Sequence, residues 1–328
     1  TTDKPVSPYL TWEKTNQYDL GLDMDMFNYR LNMKLDYYYK YTSSLIYDIP
    51  IPGSLYAFGA QVENAMEISN EGLELELQAD ILRESAVSWR MKFNMARNWN
   101  RFEKSYSGKD VVDGDGTLLV AGRPLNGLYV WAHRGYYNSD AEVPRLYKID
   151  GQEIYFNGVA TNGISGAVGD YRLLDLDGDG NPDSYYAGSP LPLAHGGWVN
   201  ELMWKNFDLN VLVNFTIGRK MINNRMGLGF SRQSEDGHLT KLFDYRKLRP
   251  WDGVNKKPNA PAWGNSLSMN TDSAIEKVHH LALKQITLGY NLPDRISKKA
   301  GLSGVRFFLT AENLFYLSNY SEIGRAHV

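Results

Sequence analysis

Between Tyr18 and Met26 every even-numbered residue is apolar and every odd-numbered one is Asp or Gly. A period of two marks a strand with one apolar and one polar face, because successive strand side chains point to opposite sides of the sheet. A helix would spread the same residues around its whole surface. The pattern returns along the chain. Leu31, Met33, Leu35, Tyr37, Tyr39 and Tyr41 alternate with Asn32, Lys34, Asp36 and Lys40, and Leu73, Leu75, Leu77, Ala79 and Ile81 alternate with Glu74, Glu76, Gln78 and Asp80. Val87, Trp89, Met91, Phe93 and Met95 oppose Ser88, Arg90, Lys92 and Asn94, and Phe207, Leu209, Val211, Val213, Phe215 and Ile217 oppose Asp208, Asn210, Asn214 and Thr216. Weaker versions occupy Trp198–Trp204, Leu281–Leu292 and Val305–Leu317. The reading is all-β, with about eight strands. One short helical piece is predicted at Asp294–Ala300.

Strand length and loop length narrow the architecture. The segments run for roughly 10–15 residues, against about five or six in ordinary globular sheets and about 9–11 for a tilted strand crossing a bilayer. Asn28-Tyr29-Arg30, Arg83-Glu84-Ser85-Ala86, Lys205-Asn206 and the stretch 293–304 read as short connections, while 43–66, 102–195 and 218–276 read as long polar excursions. The short connections all fall on one side by strand parity. That asymmetry predicts long antiparallel strands forming an incomplete part of a large transmembrane β-barrel, with periplasmic turns and long extracellular loops. The abundance of rings, 22 Tyr and 8 Trp, suits the two membrane interfaces, where an amphipathic ring sits well at headgroup depth. A soluble β-sandwich also alternates. It gives no reason for the segregation of turns, and loops of such length inside a compact sandwich are unusual.

Composition removes other classes. A formal net charge of −3 offers nothing to nucleic acid, and the lack of cysteine excludes disulfides, thiolate zinc sites and a cysteine nucleophile. No run approaches the roughly 18–20 apolar residues of a spanning helix.

Several segments resemble one family in its own order. Thr11-Trp12-Glu13-Lys14-Thr15-Asn16-Gln17-Tyr18-Asp19-Leu20-Gly21-Leu22-Asp23 resembles a barrel strand of the SusC/RagA-type TonB-dependent transporters of Bacteroidota outer membranes. Asn70-Glu71-Gly72-Leu73-Glu74-Leu75-Glu76-Leu77 is similar to their following strand, and Gly169-Asp170-Tyr171-Arg172 to the approach to Asp175-Leu176-Asp177-Gly178-Asp179-Gly180. Leu283-Lys284-Gln285-Ile286-Thr287-Leu288-Gly289-Tyr290-Asn291-Leu292-Pro293 and Ala311-Glu312-Asn313-Leu314-Phe315 resemble the late barrel pair. The resemblance implies TonB-dependent import of a glycan oligomer or peptide across the outer membrane, in contact with its lipid and beside a SusD-like surface lipoprotein. It implies also a plug domain and TonB box, which nothing in these residues resembles, so residues 1–321 are expected to be a C-terminal barrel portion. Glu322–Val328 read like the translation of a common sequencing adapter and are expected to be a scar. The alternatives are a passive porin-type channel and a secreted, calcium-stabilised β-sandwich that binds glycans.

Candidate sites follow from residue type and spacing. Asp175, Asp177, Asp179, Asn181 and Asp183 have the alternate-oxygen spacing of a calcium loop, with Gly180 for the sharp turn. Tyr186 stands where an EF-hand needs its bidentate Glu, and the competing reading is a solvated acidic turn. No cofactor beyond a structural Ca²⁺ is implied. The loop rings Tyr129, Trp131, Tyr136, Tyr137, Trp251 and Trp263 are candidate substrate contacts, since flat apolar faces suit sugars and peptide side chains; mutual packing is the competing reading. Asp19, Asp23, Glu74, Glu76 and Arg90 are candidate lumen-wall residues. His279 and His280 are adjacent on a strand and point to opposite faces, and His133, His195 and His238 are placed on loops. No nucleophile elbow, zinc-protease motif or phosphate loop is present, and a non-enzymatic chain is expected.

Overall fold

The computed structural model describes residues 5–51, 60–83, 85–112, 118–143, 145–147, 153–155, 168–178, 183–223, 249–254, 257–262, 271–299 and 301–320. Four long strands come first: β1 (Lys14–Met26), β2 (Leu31–Pro50), β3 (Ala60–Leu82) and β4 (Val87–Lys104). Short strands follow: β5 (Val111–Val112), β6 (Leu118–Leu119), β7 (Leu128–Trp131), β8 (His133–Tyr136), β9 (Arg145–Tyr147), β10 (Glu153–Tyr155), β11 (Tyr171–Leu173) and β12 (Ser184–Gly188). The long strands resume with β13 (Ala194–Trp204), β14 (Phe207–Ile222), β15 (Ile275–Asn291) and β16 (Arg306–Ser318). A six-residue helix, α1 (Asp294–Lys299), sits where the sequence predicts one, between β15 and β16.

The eight long strands form one sheet in the order β1-β2-β3-β4-β13-β14-β15-β16. Register explains why its two faces differ. Asp23, Lys34, Glu76, Asn94, Gly197 and Asn214 are successive cross-strand partners, a polar row through six strands. The row one residue away is Met24, Met33, Leu77, Phe93, Trp198 and Val213, wholly apolar and on the other face. The apolar face stays uncovered: Leu20 and Leu309 are each 73% exposed. Among the described residues no second long-stranded sheet packs on it, which corrects the β-sandwich alternative. Such a face needs hydrocarbon around it, since burial of apolar area contributes about 25 cal/mol per Å².

Connections keep the predicted asymmetry. The β1–β2 turn carries positive φ at Phe27, Asn28 and Tyr29, and the two-residue β13–β14 turn has one at Lys205. The long excursions leave from the opposite strand ends. The predicted loop at 43–66 is overturned: β2 runs on to Pro50 and β3 starts at Ala60. Register shifts between Thr42 and Ile46, with Ser44 at φ 56°, break the period of two while the chain stays extended. His195 is likewise in a long strand, β13, and His133 in β8, not in loops; neighbouring glycines hide the alternation. Pairing between β2 and β3 continues past these shifts, so an extended segment needs no regular side-chain pattern to persist.

The chain divides into two compact units. The first contains the sheet and a small core of Ala65, Met66, Phe102, Val111 and Leu119, with Phe102 fully buried. Its neighbouring loop is pinned to β4 by the bonds Phe102 N–H to Arg123 O (2.8 Å) and Gly122 N–H to Phe102 O (2.7 Å). The second unit, Leu128–Gly188 with Lys220–Glu276, holds the pairs β7–β12, β8–β11 and β9–β10.

Candidate functional site

The polar face of the sheet encloses a concavity of about 930 Å³. Asp25, Lys34, Glu76, Lys92, Asn94 and His195 line one part of it, and Asn214, Thr216, His280 and Lys284 another. All five candidate wall residues lie on this face by register. Asp19 stands opposite Tyr38, Asp23 opposite Lys34, Glu74 opposite Asp36, Glu76 opposite Lys34 and Arg90 opposite Asp80 and Glu201. Charges of both signs alternate along the rows. Arg90 Nε is 2.7 Å from Asp80 Oδ1, and Lys92 Nζ is 2.7 Å from Glu201 Oε1. The like-charged neighbours Asp36 and Glu74 are the exception, a pairing that repels unless solvent or a ligand screens it. Such a wall offers hydrogen-bond donors and acceptors from strand to strand.

His195, His280 and Lys284 are the residues that sequence reasoning missed here. A register shift between Leu283 and Gln285 obscures the faces of β15. Of the adjacent pair His279 and His280, His280 lines the concavity, while His279 Nδ1 accepts the Gly218 N–H at 3.2 Å.

In the second unit the loop rings pack on one another. Tyr136 stacks on Tyr171 with centroids 5.3 Å apart, and His133 meets Tyr171 edge-on at 4.6 Å. Tyr129 packs on Tyr186 at 5.7 Å, Tyr137 is buried, and Trp251 Nε1–H donates to Asn138 Oδ1 at 3.2 Å. Trp131 is half-buried in β7 and bridges Thr271. Trp263 and His238 lie outside the described residues. The Tyr171 hydroxyl contacts Ser273 Oγ at 2.8 Å, and His133 Nδ1 contacts an Asp272 carboxylate that also accepts from Tyr185. Burial pushes the Tyr136 and Tyr171 phenols above their usual pKa.

The acidic loop is held by its flanks. Asp183 N–H bonds Leu174 O (2.9 Å) and Ala132 N–H bonds Asp183 O (3.1 Å), closing the turn between β11 and β12. Carboxylate oxygens of Asp175, Asp177 and Asp183 come within 4.8 Å of one another, a spacing a hard cation can bridge. Asp183 Oδ2 also accepts the Leu176 N–H at 2.6 Å, and Asp175 Oδ1 accepts the Gly178 N–H at 2.6 Å. Asp179 and Asn181 lie outside the described residues.

The chain has well-defined relatives. Residues 2–186 match the family model described as TonB dependent receptor-like, beta-barrel. TonB-dependent receptor P26 of Formosa agariphila is 29% identical over 98% of this chain and 32% of its own length. TonB-dependent receptor SusC of Bacteroides thetaiotaomicron is 25% identical over 97% of this chain and 30% of its own. Among solved structures, the RagAB peptide transporter superposes with a TM-score of 0.70 at 25% identity, over 96% of this chain and 33% of that one. The chain thus spans about a third of the length of the proteins it matches. Long strands with one polar and one bare apolar face, short turns at one end and this family match agree: the chain belongs to the TonB-dependent receptor-like β-barrel family, is of the SusC/RagA type, and resides in the outer membrane.

Proposed function

We propose that these residues form barrel wall and loops of an importer that carries a nutrient, a glycan oligomer or a peptide, across the outer membrane. TonB supplies the energy through a plug domain, and a SusD-like lipoprotein covers the mouth. The observation that carries this reading is the likeness to TonB-dependent receptors over 95–98% of the chain, SusC among them. The RagAB likeness supports a peptide cargo, while rings such as Trp131 and Trp251 suit either cargo. Tyr137, being buried, is set aside as a contact; Tyr129, Trp131, Tyr136 and Trp251 are half-buried and keep accessible edges for one. We assign the concavity to passage: alternating charges bind a polar solute weakly at several points, which lets it move on. We assign to the acidic loop a structural Ca²⁺, supported by the convergence of three carboxylates.

Deleting the gene in its host and measuring uptake of labelled peptides and oligosaccharides tests the import reading. Uptake should fall, return with the full-length gene, and fail to return in a strain lacking TonB. Uptake that persists without TonB would favour the passive porin-type channel.

A further inference from the structure

Strand β4 carries on its lipid-facing side, in order, Trp89, Met91, Phe93, Met95, Arg97, Trp99 and Arg101. The faces follow from register: Trp89 pairs with Leu202, Phe93 with Trp198, and Arg97 with Leu73, all on the apolar side. The lower end is a ring cluster in which Trp204 stacks on Phe207 at 6.3 Å and Phe207 meets Tyr290 at 4.7 Å. Trp89 lies one row above it, its indole N–H donating to Asn200 at 3.1 Å. From Trp89 to Trp99 the strand climbs about 34 Å, or about 24–28 Å in height at a tilt of 35–45°. An outer-membrane barrel's apolar band is about 25 Å tall. Trp89 and Trp99 therefore mark the two interfaces; Arg101 stands at the headgroup level of the outer leaflet, and Arg97, about 5 Å lower on the strand, extends its guanidinium up to the Trp99 ring.

Both arginines are exposed, and among the described residues neither has a carboxylate partner. Arg97 rests on the Trp99 ring, 4.5 Å from its centroid. The carboxylates of this surface are engaged by hydroxyls instead. Glu71 accepts from Tyr37 at 3.0 Å, Glu103 accepts from Ser69, and Glu67 accepts from Tyr41 with Lys104 3.8 Å away. Two guanidinium forks spaced four residues apart on one strand face, with a ring between them, remain to meet an anion. At this depth the available anion belongs to a lipid.

Building on the outer-membrane reading, we propose that Arg97 and Arg101, either side of Trp99, bind the phosphate groups of an outer-leaflet glycolipid. The forks provide paired N–H donors to phosphate oxygens, and Trp99 packs beside the first sugar. The site anchors the barrel to its lipid collar and takes no part in cargo passage.

The test uses the full-length receptor purified from outer membranes in mild detergent, washed free of lipid and titrated with lipid A or its dephosphorylated form. Binding of lipid A is expected to weaken about tenfold or more in R97Q/R101Q and to recover in part in R97K/R101K, because charge returns without the fork. The dephosphorylated lipid should bind both proteins alike and weakly. Equal binding of lipid A by wild type and R97Q/R101Q, equal binding of both lipids by wild type, or no binding at all would overturn the proposal. Outer-membrane fractionation and heat-modifiable migration of the same proteins check the barrel reading separately.

Discussion

The ring of Tyr38 occupies the space where a Cβ of its cross-strand partner Gly72 would stand, and its hydroxyl donates to Asn98 at 3.1 Å. Three strands are thereby tied on the polar face. Gly72→Val should force the ring aside and destabilise the barrel by about 1–3 kcal/mol. Tyr38→Phe, which loses the hydrogen bond alone, should cost about 0.5–1.5 kcal/mol. Urea midpoints followed by gel mobility of the unboiled receptor would rank the two, and a larger effect of Tyr38→Phe would contradict the packing argument.

Asp208 on β14 reaches over β15 to Arg306 on β16, with Nη2–Oδ2 at 2.5 Å and Nε–Oδ1 at 3.2 Å. Gly289 lies beneath the pair, and a Cβ there would press on both side chains. Arg306 is 45% exposed and its charge is screened by solvent, so Asp208→Asn should lower stability only slightly, and less in high salt. Gly289→Leu should cost more, because it parts the ions and intrudes on their space. Unfolding of both variants at low and high salt separates the contributions.

Calcium restored to the chelated full-length receptor should raise the temperature at which the second unit unfolds. Saturation at about a hundred times Kd contributes about 2.7 kcal/mol. Asp175→Asn with Asp183→Asn should abolish the response. Calorimetry that gives the same profile with and without calcium would leave the loop a solvated turn.

The buried phenols predict alkaline behaviour with a definite sign. Tyr136 and Tyr171 hold their protons more tightly folded than unfolded, chiefly through burial. Their contribution is fully present below the ordinary value of 10.0 and declines as pH rises past it. Phenolate absorbance in wild type, less that in Tyr171→Phe, should therefore appear above pH 10. Ionisation of Tyr171 at or below that point would contradict its burial.

The long strands were legible because one face of each must be apolar and the other polar, and residues such as Leu73–Glu76 state that plainly. Lumen-wall candidates such as Asp19 and Glu76 fell out of the same parity. Legibility failed where a register shift breaks parity, at Thr42–Ile46 and Leu283–Gln285, which cost the reading the upper part of β2 and the placement of Lys284. The glycines beside His195 removed the apolar marks that identify a strand. Ring-on-ring contacts such as Tyr136 with Tyr171 join residues far apart in sequence, and residue type alone does not choose a partner.

Strands β4 and β13 lie side by side although residues 105–193 come between them. Closing such an excursion costs entropy that grows only with the logarithm of its length, about 0.6 kcal/mol for each doubling. The scaffold can therefore hardly sense how long that excursion is. In evolutionary terms, the segment between these strands can be lengthened, shortened or exchanged between lineages while the strands keep their registration.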